Sequence, residues 1–153
     1  SLDANIKSLR DVKRKMVEDH PQQPDPISYA RSKYIVEEIE RVGQATQALL
    51  QKDLVKLGSL LYQTHEGLSN LYDVSCAELD FIVEHTKSLK EVLGSRMMGG
   101  GFGGCTLNLI HKSFVPAFKK TIAEAYEKRF YKSPDFYQVK IQDGAREIKQ
   151  YHE

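Results

Sequence analysis

Apolar residues recur every three or four positions over most of residues 1–94, which predicts a largely helical region. One amphipathic helix is predicted over Ala4–Asp19, and a second resumes at Ser28 after a proline-rich connector. A third begins after the break at Lys52, where Asp53 has a side chain typical of a helix N-cap. The second helix is predicted to bury one stripe of apolar side chains: Ile35, Val36, Ile39, Val42 and Leu49.

A fourth helix is predicted after Ser75. The spacing of Ser75 and Glu78 fits a capping box, in which the hydroxyl and the carboxylate each accept a free backbone N–H of the first helical turn. Gly94 is placed to end this helix, because glycine adopts the left-handed backbone common at helix C-termini. We therefore expect helical structure to stop near residue 94.

Beyond residue 94 the apolar period changes from helical to alternating. Cys105–Leu109 and Tyr137–Ile141 alternate apolar and polar residues, which predicts two half-buried strands. Ser113–Phe130 has helical spacing, with Pro116 tolerable in the first turn. Asp143-Gly144 suits a two-residue hairpin turn that would set Val139 opposite Ile148.

These elements predict the α+β class: a two-layer domain with an antiparallel sheet packed against several helices. The expected organisation is a single domain, 1–153. It has an N-terminal helix and proline-rich connector (1–27), a helical part (28–94) and a sheet-rich part that contains a glycine-rich loop (95–153).

Composition narrows the possible functions. The formal net charge of +1 gives no field that would gather nucleic acid, and no apolar run is long enough to cross a membrane. The two cysteines, Cys76 and Cys105, make no disulfide framework and no zinc spacing. Both are expected to pack as small apolar residues. Nucleic acid and membrane are therefore excluded as expected partners.

Five of the ten glycines fall within Gly99–Gly104. The segment matches G-x-G-x-x-G, but a strand and not a helix is predicted after it, so the dinucleotide fingerprint fails. The Walker A pattern fails as well, because Cys105 stands where that motif needs lysine. A tight bend needs only one or two glycines, so the cluster favours close approach of a ligand or of another chain segment. Phosphate is the natural ligand, because loops that align successive N–H groups bind anions.

Four segments of the chain resemble conserved segments of a known family. Ser95–Thr106 closely resembles the third conserved motif of galactokinases, a family of the GHMP small-molecule kinase superfamily. Ala30–Arg41 resembles the family's R-A-x-H-V-x-x-E-x-x-R-V helix. Tyr72–Asp80 is similar to its Y-E-V-S-C-P-E-L-D segment, and Asp143–Arg146 to its D-G-A-K ending. The four segments keep the family's order along the chain, which is identified as a C-terminal domain of this type.

The family's sugar-binding signature and its G-L-S-S-S-A phosphate loop are absent from this chain. In galactokinases both of these motifs belong to the N-terminal half of the protein, which also holds the catalytic aspartate and the magnesium ligands. The resemblance therefore implies a fragment without the N-terminal catalytic domain, one that is not active alone. It implies no catalytic residue and no metal ligand in this chain.

For the full-length protein the resemblance implies a cytoplasmic, ATP-dependent phosphotransferase that converts D-galactose to galactose 1-phosphate. ATP and magnesium are the expected cofactors, and galactose, ATP and the N-terminal domain the expected partners. The resemblance assigns Gly99, Gly100, Gly101, Phe102, Gly103 and Gly104 to a loop that lines the interdomain cleft near the phosphates and the sugar. A non-catalytic galactokinase-like sensor or interaction module, or the C-terminal domain of another GHMP kinase, remains the alternative.

Several side chains have simpler interpretations. His65 shares an apolar helical stripe with leucines, so a satisfied buried or interface histidine is expected in preference to a general base. Arg96 is expected on a strand, paired with an acid. Gly101→Val is expected to lower turnover of the complete enzyme with little loss of stability in the isolated domain.

Overall fold

The computed structural model of the protein describes residues 6–20, 25–141 and 144. The helical first half is followed by an antiparallel hairpin and a last helix, which confirms the predicted α+β class. The α-helices are α1 (Arg14–Glu18), α2 (Pro26–Leu50), α3 (Leu54–Asn70), α4 (Ala77–Thr86) and α5 (Val115–Phe130). The strands are β1 (Val92–Met98) and β2 (Cys105–Ile110), and short 3-10 turns cover Leu9–Asp11 and Lys112–Phe114.

The two strands pair from Val92 opposite Ile110 to Met98 opposite Cys105, and the glycine loop joins their ends. Helix α3 lies directly on β1. A Cβ atom on Gly58 would overlap the carbonyl group of Leu93, and one on Gly94 would overlap the backbone of Gly58. The helix and the strand therefore touch backbone to backbone, which only this pair of glycines permits.

The core joins the hairpin to the flanking helices. Val92, Phe118 and Ile122 form one buried cluster between β1 and α5. Leu60 and Met97 are also fully buried, on α3 and β1 respectively. Buried side chains of β1, α3 and α5 thus hold the strand that leads into the glycine loop.

Helix α2 buries a different face from the predicted one. Val36 is buried, but Ile39, Val42 and Leu49 are between 39% and 60% exposed. Tyr34 and Ala48 are buried in their place, and the Tyr34 ring lies against Gly67 of α3. The missing side chain at Gly67 makes room for the aromatic ring, so fit to α3 outweighs the hydrophobicity of the stripe.

Of the two predicted helix N-caps, one is confirmed and one is wrong. Asp53 does cap α3, because its carboxylate accepts the N–H of Lys56 at 2.8 Å. The predicted capping box at Ser75 is wrong: Cys76 is the N-cap residue, and the Ser75 hydroxyl donates to Asp80 at 2.5 Å. The helix begins one residue later than the box requires, so Ser75 precedes the N-cap residue.

Gly94 does not end a helix. Helix α4 ends at Thr86, and Gly94 lies inside β1. The helix predicted over Ala4–Asp19 would start at residues that the structure does not describe. Within the described residues the α-helix covers only Arg14–Glu18. Ser8 and Asp11 cap each other around a single 3-10 turn, and the extended backbone at Val12 separates this turn from α1.

Tyr137–Ile141 is not a strand in the structure, and its three apolar side chains are exposed. Three predicted features involve residues outside the described ranges: Ile148, the expected partner of Val139, Asp143 of the predicted turn, and Pro21 and Pro24 of the connector. Among the helices of the described ranges, none has both the length and the apolar content needed to cross a bilayer.

Candidate functional site

The glycine loop connects β1 to β2 through a series of left-handed backbone conformations. The φ angles of four of its glycines and of Phe102 lie between 58° and 137°. Residues other than glycine rarely adopt such φ angles, so the backbone conformation of the loop accounts for most of its glycines. The residues with these angles are Gly99, Gly101, Phe102, Gly103 and Gly104.

Gly101 is the point at which the loop touches the rest of the chain. A Cβ atom there would overlap the carbonyl oxygen of Val74, in the turn between α3 and α4. The same carbonyl accepts the N–H of Phe102 at 2.7 Å. The close approach is thus to the protein's own backbone, so from this geometry we expect Gly101→Val to destabilise the isolated domain, contrary to the expectation from sequence.

Gly100 differs from its neighbours. It is outside the left-handed set, and apart from its two chain neighbours no described residue has an atom within 4 Å of the position that a Cβ would take. The sites beside Gly99, Gly103 and Gly104 are equally open. Neither conformation nor packing inside the described chain accounts for a glycine at residue 100.

Phe102 is the one side chain of the loop, and it is 77% exposed. A cavity of about 240 Å³ lies beside it, between the loop and helices α4 and α5. Burial and the nearby Glu78 carboxylate raise the pKa of Tyr126 at this cavity. The lining residues are Cys76, Glu78, Leu79, Ile82, Phe102, Gly103, Gly104 and Tyr126. Met98 and Leu107 are also exposed beside the loop, which gives it an apolar rim.

A polar network lies below the loop. The buried His65 accepts the N–H of Met97 on Nδ1 at 3.1 Å, and its Nε2 lies 3.1 Å from Asp80 Oδ1. Because a backbone donor occupies Nδ1, the ring proton is on Nε2 and points at the carboxylate. Burial lowers the pKa of His65, although Asp80 acts in the opposite direction. This confirms the prediction of a satisfied buried histidine.

Sequence reasoning missed the role of Asp80 in this network. Its Oδ1 accepts from Ser75, and its Oδ2 accepts from Ser69 at 3.1 Å. Asp80 is four residues after Cys76, inside the first turns of α4, where a carboxylate is explained by its favourable interaction with the helix dipole alone. The unusual signal was the two serines, Ser69 and Ser75, on either side of the α3–α4 turn.

The remaining candidates divide between the two expectations. Arg96 lies on β1 with a terminal nitrogen 4.0 Å from Glu38, which confirms the predicted pairing with an acid. Cys76 is half-buried at the cavity beside the loop. Cys105 is exposed at the start of β2, directly after the glycine loop, so its expected place among buried apolar residues is wrong.

Comparison with known proteins places the fold and the loop in a family. The family described as GHMP kinases C terminal matches residues 45–128, which include the whole glycine loop. The chain belongs to this family. The galactokinase of Thermotoga neapolitana is 39% identical over 142 residues, which are 93% of this chain and 39% of that protein. The galactokinase of Thermotoga maritima is 42% identical over 118 residues, 77% of this chain and 34% of that protein. The GHMP kinase domain thus spans about two fifths of the length of these relatives, or less.

Solved structures agree. The crystal structure of Lactococcus lactis galactokinase complexed with galactose superposes with a TM-score of 0.83 at 32% identity, covering 87% of this chain and 34% of that one. L. major mevalonate kinase in complex with R-mevalonate gives a TM-score of 0.52 at 26% identity over 74% of this chain and 35% of that one. The GHMP kinase domain therefore has the fold of the galactokinase C-terminal domain.

Proposed function

We propose that this GHMP kinase domain is the C-terminal domain of a cytoplasmic galactokinase, which transfers a phosphoryl group from ATP to D-galactose. The observation that carries the proposal is the joint agreement of sequence and structure with galactokinases, at up to 42% identity and a TM-score of 0.83. In this proposal residues 1–153 form one domain that packs against an N-terminal catalytic domain and is inactive without it.

The glycine loop is the part of the domain proposed to face the cleft. Phosphoryl transfer depends mainly on positioning and on stabilisation of charge, and a wall without side chains lets donor and acceptor come close. The open positions at Gly99, Gly100, Gly103 and Gly104 leave such a wall, and the anchor at Val74 keeps it in place. The proposed assignment of Gly99–Gly104 to binding near the phosphates and the sugar rests on these features.

The exposed apolar rim supports an interdomain location. Phe102 in the loop and Met98 and Leu107 on the adjoining strands are exposed apolar side chains in the isolated domain. An interface between domains of one chain would bury such a patch. We therefore place the contact with the N-terminal domain on this face.

ATP would supply the phosphoryl group, and magnesium would offset the charge that develops on it. In the described part of the chain, no three His, Cys, Asp or Glu side chains come together to hold a metal ion. The loop itself carries no charged side chain. The residues present thus fit a wall that excludes water and orients substrates, and we assign no magnesium ligand or catalytic residue to them.

The direct test is an assay of ADP formation by the full-length protein, in which this domain is joined to the proposed N-terminal domain. We expect turnover that depends on galactose. Turnover on mevalonate or on another sugar, but not on galactose, would refute the substrate and leave the family unchanged. Galactose binding without ADP formation would favour the non-catalytic sensor.

The proposed role of the loop has its own test in Gly100→Val. Because the position is open in the domain, we expect the free energy of unfolding of the 153-residue chain to change little. In the full-length protein we expect kcat to fall by about tenfold or more, since a misplacement of reacting groups costs up to about a hundredfold. Gly43→Val, at an open position of α2 away from the loop, is the control and should leave kcat unchanged. Equal turnover of the Gly100→Val protein and wild type would contradict the role.

A further inference from the structure

The glycine loop is held at its tip by a single carbonyl group. Val74 O accepts the N–H of Phe102 at 2.7 Å, and Gly101 packs against the same oxygen. Val74 is itself fixed, because its N–H donates to Leu68 O at the end of α3. The position of the tip therefore follows the position of Val74.

The base of the loop is held by a side chain. The N–H of Met97, two residues before the loop, donates to His65 Nδ1 at 3.1 Å. Both residues are buried, Met97 on β1 and His65 on α3. The imidazole thus accepts the N–H of a buried strand residue.

Both attachments meet at one oxygen atom. Asp80 Oδ1 accepts from the hydroxyl of Ser75, the residue after Val74, at 2.5 Å and lies 3.1 Å from His65 Nε2. Tip and base are therefore linked through Val74, Ser75, Asp80, His65 and Met97. Ser69 bonds the other oxygen, Oδ2, and lies outside this link.

We propose that Asp80 is a positioning residue for the glycine loop, fixing tip and base relative to each other through its Oδ1 atom. Hydrogen bonds to a carboxylate are shorter and stronger than those between neutral groups, so one charged oxygen is well suited to hold two donors. The effect on loop order stands by itself, and its importance for catalysis rests on the proposed function.

Amide hydrogen exchange of the 153-residue chain tests this positioning. Asp80→Ala removes one contact from the link to the tip, one from the link to the base and the separate bond to Ser69. We therefore expect the amides of Phe102 and Met97 to exchange about tenfold faster relative to the buried amide of Ile122 on α5, which reports the overall loss of stability. Asp80→Asn should retain most of the protection, because its side-chain oxygen can replace Oδ1. A role through charge on α4 would make Asn as damaging as Ala, and that result would overturn the proposal.

Two serine variants form a matched pair. Ser75→Ala should speed exchange at Phe102 and spare Met97, because it breaks only the link to the tip. Ser69→Ala removes a bond to the same carboxylate but should spare both amides. Equal effects of the two variants would overturn the proposal, as would full protection of Phe102 in Ser75→Ala. If Asp80→Ala does not fold, this pair decides.

In the full-length protein, Asp80→Ala should lower kcat about tenfold and change the KM for galactose little, and Asp80→Asn should restore most of the rate. Loss of protection at Phe102 with an unchanged kcat would refute the role of the loop in the proposed function and leave the positioning by Asp80 intact. Protection retained in Asp80→Ala would refute the positioning whatever the rate.

Discussion

The two ends of β1 both depend on glycine, but for different reasons. Near its start, Gly94 lies against Gly58 of α3, and neither position has room for a methyl group. After its end, the loop has one glycine in contact, Gly101, and others that face open space. The first use is explained by packing within the domain. The second is explained only in part, because neither conformation nor packing within the described residues requires a glycine at residue 100.

The largest expected effect is at the packed end. Gly94→Ala would push α3 away from β1, because the obstacle is backbone and cannot rotate aside. We expect the free energy of unfolding to fall by about 3 kcal/mol, at the upper end of overpacking effects. Urea denaturation followed by circular dichroism measures it. A loss below about 1 kcal/mol would show that the two backbones are not in firm contact.

At the loop, Gly101→Ala should be less costly. The new methyl group would overlap Val74 O at a left-handed φ, whereas Gly104→Ala has the same kind of φ with open space around it. Left-handed backbone alone costs about 1–2 kcal/mol for an alanine. We therefore expect Gly104→Ala to lose about that amount and Gly101→Ala to lose more, together with amide protection at Phe102. Equal losses would mean that the contact with Val74 contributes nothing.

The buried His65, which accepts the N–H of Met97 near the end of β1, makes the free energy of unfolding depend on pH. Burial lowers its folded-state pKa below the ordinary 6.5, so the unfolded chain binds the extra proton first. The contribution is complete above about pH 6.5 and is lost as the pH falls through the folded-state value, at most about 1.4 kcal/mol per pH unit. Urea midpoints at pH 7.5 and 5.5 should show a drop in wild type that is smaller in His65→Gln. His111→Gln, at an exposed histidine, should keep the full drop.

The smallest effect is expected at Gly100. Gly100→Ala meets no atom and needs no left-handed φ, so the free energy of unfolding should change by less than about 0.5 kcal/mol. Gly43→Ala, also open but inside α2, should stabilise by up to about 1 kcal/mol through helix propensity. A large loss at Gly100 would give the loop glycines a common structural cause and remove the contrast between the two ends of β1.

Periodicity predicted the elements whose environment is set locally. Helices α2, α3 and α5 and strand β2 were expected where the structure has them, and the Asp53 cap follows from one side chain and its own helix. The buried face of α2 could not be predicted, because it depends on the space that Gly67 leaves for Tyr34 on another helix. Gly94 was assigned to a helix end for the same reason: its partner, Gly58, is distant in sequence.

The site shows the same division. The loop Gly99–Gly104 was recognisable from composition and from its resemblance to galactokinases, and His65 from its place on an apolar stripe. Asp80 was missed, since its partners come from two other segments: His65 and Ser69 from α3, and Ser75 from the turn before α4. A hydrogen-bond network that crosses segments leaves no periodic trace in the sequence.

The contact between Gly58 and Gly94 limits how this domain can diverge. The obstacle to a side chain at either residue is the main chain of the other element, which every amino acid carries. No substitution at a neighbouring position can therefore compensate for a larger residue at one of them. A library that randomises both codons and selects for folding should return glycine at both positions together, and variants with glycine at only one of them should be absent.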